Sequence, residues 1–168
     1  KLTVNYSLGH ALYCEPQNGE KLTEEMIEKV KDRMKEIIEK DITITKKTIT
    51  LEEAKAIYEK QERPDKLGII ENRMKSHISM YYCENTFNYF YGVMPISTRY
   101  MKYFNVELYE KGLLLIYPRR YNPTEVEKLK ETIKLYNTFD EYDKFNKILH
   151  VENVAQLNNQ IKNGNILE

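Results

Sequence analysis

LTEEMIEKVKDRMKEIIEKDITITKKTITLEEAKAIYEK, residues 22–60, holds a helix, a strand and a second helix in one unbroken run. Thr23 stands where an N-cap is needed, and Glu24 and Glu25 fall in the first turn, where the helix dipole favours anions. Met26, Ile27, Val30, Met34, Ile37 and Ile38 then recur at three- and four-residue spacing. That period predicts an amphipathic helix running to about Lys40. The β-branched run 42–49, with Ile42, Ile44 and Ile49, predicts a strand. Thr50-Leu51-Glu52-Glu53 matches the capping box, in which Glu53 reaches back to the Thr50 amide. A shorter helix carrying Ala54, Ile57 and Tyr58 follows and ends before Pro64.

Upstream, residues 2–6 and 11–15 read as two strands around the turn-prone Leu8-Gly9-His10, followed by a loop from Pro16 to Gly19. Downstream comes a short helical turn around Leu67 to Asn72. The stretch ISMYYCENTFNYFY (78–91) reads as a hairpin turning at Glu84-Asn85, and residues 103–109 and 112–117 as a second hairpin. Asn122-Pro123-Thr124-Glu125 offers a cap residue and a proline at the first helical position. Val126, Leu129, Ile133 and Tyr136 continue that helical period. Further helices are expected over 141–149 and from about Asn153 to a stop at Gly164. The fold class is therefore α+β: an antiparallel sheet packed with helices over 1–120, then a helical tail over 121–168.

The 168 residues carry 26 Lys and Arg against 26 Asp and Glu, so formal net charge is zero and gives no general attraction for nucleic acid. No run approaches the roughly 20 apolar residues of a membrane span. The chain opens on Lys1 inside a strand-like run, which reads as a fragment boundary. Cys14 and Cys83 are too few for a disulfide scaffold and lack zinc-site spacing, which suits buried thiols in a reducing, cytoplasmic setting. The glycines stand at 9, 19, 68, 92, 112 and 164, no two of them five apart, so the chain holds no phosphate-cradling G-x-x-x-x-G-K loop. His10, His77 and His150 lack paired spacing, and no metal site is expected. Charges such as those from Glu24 to Glu36 read as a solvated helix face. Ten of the 14 tyrosines lie between 81 and 136. Tyrosine on a sheet stacks on bases in single-strand binders, yet it is equally a favoured strand residue, and the structural use weighs more.

The order of elements resembles the second additional, editing domain of threonyl-tRNA synthetases. The resemblance is carried by LGHALYCE (8–15), the helix after Leu22, ITKKTITLEEAKAIYEK (44–60) and FNYFYGVMPISTRYMKYFNVELY (87–109). It implies a site built from a histidine pair on an earlier helix and a cysteine–histidine pair here. Phe90 stands at that cysteine position and Met94 at that histidine position, so the resemblance implies a degenerate editing site with Phe90 and Met94 turned to core packing. Tyr91, Ser97, Thr98 and Arg99 are candidate binding residues near the relic site, with Arg119 and Arg120 as candidate anion contacts.

YFYGVMPIST (89–98), YEKGLLLIYPRR (109–120) and LYNTFDEYDKFNKILHVENVAQLNNQIKNG (135–164) also resemble the front end of bacterial nucleoside kinases of the uridine kinase and phosphoribulokinase type. That resemblance implies a non-catalytic accessory domain, no cofactor of its own, and a partner kinase domain beginning near Glu168 that uses ATP and magnesium. The alternatives are an RNA-binding module, with an RNA or nucleotide ligand, and a residual aminoacyl-tRNA deacylase.

Overall fold

The computed structural model describes residues 2–90, 92–130 and 133–165, with only the backbone of Asp65. In chain order the elements are β1 (Leu2–Leu8), β2 (Ala11–Pro16), α1 (Glu24–Glu39), β3 (Ile44–Thr50), α2 (Leu51–Lys60), α3 (Pro64–Glu71), β4 (His77–Cys83), β5 (Thr86–Tyr89), β6 (Asn105–Tyr109), β7 (Gly112–Ile116), α4 (Ile133–Ile148) and α5 (Val154–Lys162). All strand pairings are antiparallel, the helices pack on the sheets, and the C-terminal region is helical, so the fold is α+β. None of the described helices is long and apolar enough to cross a membrane. Contacts divide the chain into two units, Lys1–Thr43 with Pro95–Tyr136, and Ile44–Met94 with Asn137–Glu168.

The first unit holds a four-stranded sheet in the order β1-β2-β7-β6. Gly9, at φ +59°, makes the tight turn between β1 and β2 that side chains resist. Strand alternation gives the sheet two faces. One buries Cys14, Val106 and Leu113 against Ile27 of α1, with Val30 and Met34 packed alongside. Fully burying an aliphatic side chain such as Ile27 contributes about 1.5–3 kcal/mol. The other face carries tyrosines: Tyr13 stacks on Tyr6 with ring centroids 5.1 Å apart and meets Tyr136 edge-on at 5.3 Å. Tyr13 has no exposed surface, and burial, with the Glu15 hydrogen bond second, pushes its phenol above the ordinary range.

Helix α1 begins as its sequence dictates, with the Thr23 side chain accepting from the Met26 N–H. Its outer face is the solvated ladder of charges, with Lys29–Glu25, Arg33–Glu36 and Lys40–Glu36 each at 2.6 Å.

The helix expected to start at Asn122 is a correction: residues 125–130 are irregular, and α4 starts only at Ile133. Residues 131 and 132 lie outside the described residues. His10 gives the physical reason. Its Nε2–H donates to the Glu127 carbonyl at 2.9 Å, occupying an acceptor that a helix would use for itself. The Glu127 carboxylate is held in turn by Arg119 at 3.0 Å. Tertiary bonding overrides local propensity here.

The second unit holds the sheet β3-β4-β5. The capping box forms as read, with Thr50 and Glu53 bonding reciprocally at the start of α2. Ala54 and Tyr58 of α2, Ile70 of α3, and Ile78 and Met80 of β4 make its core. Helix α3 is longer than the expected turn because Pro64 supplies a pre-set first residue. Gly68 lets α3 and α5 approach closely: a Cβ there would come within 2.4 Å of the Ala155 Cβ. Asn153 caps α5 by accepting from Gln156 N–H, and Gly164, at φ +77°, stands beyond its end as the sequence predicts.

Candidate functional site

In the second unit a cleft of about 300 Å³ opens among α2, α3, β4 and β5. Tyr58, Ile69, Ile70 and Ile78 give it apolar walls, Tyr89 and Phe90 an aromatic side, and Lys66 and Arg73 two cations. Four of these positions are fixed by hydrogen bonds or ring contacts. The Tyr58 hydroxyl accepts from the Tyr89 N–H at 3.1 Å, tying β5 to α2. The Arg73 guanidinium lies 4.7 Å from the Tyr89 ring centroid and donates to the Tyr89 hydroxyl at 2.6 Å. Phe90 is held edge-on by Tyr81 at 6.4 Å, and the Tyr81 hydroxyl donates to the Gly92 carbonyl at 2.9 Å. Lys66 is half-buried on α3.

No carboxylate, histidine or cysteine lines the cleft among the described residues. Aromatic faces with two cations in the lining suit a planar, anionic ligand: a ring stacks and a phosphate is held by charge. Among the described residues no group of three or more His, Cys, Asp or Glu side chains is placed to hold a metal ion. Phe90 and Met94 supply neither the cysteine nor the histidine of the pair that the editing resemblance implies. Burial raises both thiols, Cys14 and Cys83, above their ordinary range, which keeps them protonated and weakly nucleophilic.

The residues singled out in the sequence do not gather in one place. Phe90 lines the cleft but is 49% exposed, so the expectation that it packs in the core is corrected: β5 has ended at Tyr89 and the ring faces the opening. Met94 is half-buried and not part of the lining. Tyr91 lies outside the described residues. Ser97 and Thr98 belong to the first unit, both buried. The Thr98 hydroxyl donates to the Ile37 carbonyl at 2.7 Å and accepts from the Ile42 N–H at 2.9 Å. Ser97 bridges Thr43. Arg99 is exposed, 3.4 Å from Asp41 and over the Tyr100 ring. Arg119 is paired with Glu127, and Arg120 is exposed. Sequence reading missed Lys66, Arg73 and Tyr89. Only the Tyr89-Phe90 pair signalled the place, because the cations flank a stretch, Leu67 to Asn72, read as a mere helical turn.

No family model matches the chain. A threonine–tRNA ligase of Buchnera aphidicola subsp. Schizaphis graminum (strain Sg) is 27% identical over 106 residues, covering 60% of this chain. The match takes in 16% of that enzyme's length. This likeness supports the synthetase resemblance, and nothing in the comparisons supports a uridine kinase origin.

Proposed function

We propose that this chain is an RNA-binding module of the synthetase editing type, which receives a terminal nucleotide of tRNA in the cleft between α3 and β5. The observation that carries it is the 106-residue likeness to a threonine–tRNA ligase. The cleft gives that reading a mechanism. A base stacks on Phe90, a sequence-tolerant contact that contributes roughly 1–3 kcal/mol. Lys66 and Arg73 take the neighbouring phosphate. With zero net charge on the chain, affinity has to come from this local pair, not from a general basic surface.

Binding of labelled tRNA to the whole chain tests it. One phosphate neutralised on a single strand predicts a slope of about −0.7 in log affinity against log salt. Lys66→Ala weakens binding and flattens the slope; an unchanged slope counts against the cleft. The deacylase alternative predicts amino-acid release from charged tRNA, and no release removes it. An accessory role beside a nucleoside kinase domain is a separate proposal, carried by the motifs at 89–98, 109–120 and 135–164 alone.

A further inference from the structure

The ladder pairing of β5 ends with Tyr89 opposite Met80, so the strand itself does not aim the Phe90 ring. Two neighbours do. The Tyr81 ring meets it near perpendicular, with centroids 6.4 Å apart and planes at 77°, an arrangement that aromatic pairs favour. Gly92 lies so close that a Cβ there would come within 2.8 Å of Phe90 Cε1. Tyr81 ties the two contacts together. It is buried in β4, the central strand of its sheet, opposite Lys46 of β3 and Asn88 of β5. Its hydroxyl donates to the Gly92 carbonyl at 2.9 Å. One anchored side chain thus holds both the ring and the glycine against which the ring lies.

A ring packed for stability alone is covered, whereas this one is held on two sides and still 49% exposed, in the lining of the cleft. A side chain already fixed loses little freedom when a ligand stacks on it, which is how preorganisation strengthens binding. Gly92 has no left-handed backbone to account for it, since its φ is not among the positive ones. The ring accounts for it instead. What a Cβ would strike is the far edge of a side chain that can swing, not backbone. Alanine at 92 would therefore displace the ring and leave the fold intact.

We propose that Tyr81 and Gly92 are positioning residues, which hold the Phe90 ring as a preset stacking surface of the cleft. This rests on the reading of the cleft as a nucleotide site and names what aims the ring there. The test is binding of labelled tRNA to the whole chain, in double-mutant cycles against Phe90→Ala, with far-UV circular dichroism as the folding control. Gly92→Ala and, separately, Tyr81→Phe should each weaken binding by roughly 3- to 30-fold, part of the loss of a whole stacking contact, with an unchanged spectrum. In the Phe90→Ala background neither should have any further effect. Damage to the fold would weaken binding with or without the ring, so that silence separates positioning from a structural role. Equal losses in both backgrounds overturn the proposal. So does wild-type affinity in both Gly92→Ala and Tyr81→Phe while Phe90→Ala binds weakly, a result that leaves the cleft reading standing. A wild type that does not bind, or a Phe90→Ala chain that binds equally well, overturns the cleft reading and the proposal with it. If Gly92→Ala alters the spectrum, Tyr81→Phe decides.

Discussion

Thr98 shows how one side chain closes an element from a distance. Asp41, at φ +48°, turns the chain out of α1, and its N–H bonds the Ile38 carbonyl, not that of Ile37. The orphaned Ile37 carbonyl is satisfied by the Thr98 hydroxyl instead. Thr98→Val keeps the shape and removes that bond, so denaturant unfolding should show a loss of about 1–3 kcal/mol. The tRNA affinity of the folded variant should be unchanged. Gly112 is constrained differently: a Cβ there would lie 2.1 Å from the Cys14 carbonyl oxygen, backbone that cannot move aside. Gly112→Ala should therefore cost roughly 1–3 kcal/mol by the same measurement. The Ser97-Thr98 pair was conspicuous in the sequence, but its bonding was not legible, because Ile37 lies 61 residues away. Phe90 misled for the opposite reason: an apolar residue at a strand end was read as core, and its exposure depends on where β5 stops.

Among the elements, α1 was the most legible, because its cap, charges and apolar stripe all lie within one local run. Its charge ladder has a measurable consequence. Hydrogen bonds from Arg33 and Lys40 hold the Glu36 carboxyl down to about 2. A lowered folded value means the pairing contributes fully above the ordinary carboxylate range of about 4.3 and is lost as pH falls toward about 2. The group is exposed, so its effect on global stability is small. An NMR pH titration should find the Glu36 midpoint below the ordinary carboxylate range, and Arg33→Ala should move it up. The capping box of α2 was equally legible. The segment after Asn122 was not: its helix-start signals are real, but His10 takes the Glu127 carbonyl from 117 residues away.

Along the chain, residues 44–94 of the second unit fall between the two sequence segments of the first. The α+β class was readable from element order alone. The cleft was not, since Lys66, Arg73 and Phe90 come together only through the packing of α3 and the β4–β5 hairpin. A cleft that holds a terminal nucleotide of tRNA must lose affinity when either the stacking ring or that nucleotide is removed. Fluorescence anisotropy of labelled tRNA with the whole chain at low salt tests it most directly, comparing wild type with Phe90→Ala, and intact tRNA with tRNA trimmed at its 3′ end. Loss of one stacking contact predicts roughly 5- to 100-fold weaker binding for Phe90→Ala. Trimming should produce a similar loss, and Phe90→Ala should have little further effect on the trimmed RNA. No binding at low salt, or binding indifferent to both Phe90 and the 3′ end, would contradict the account.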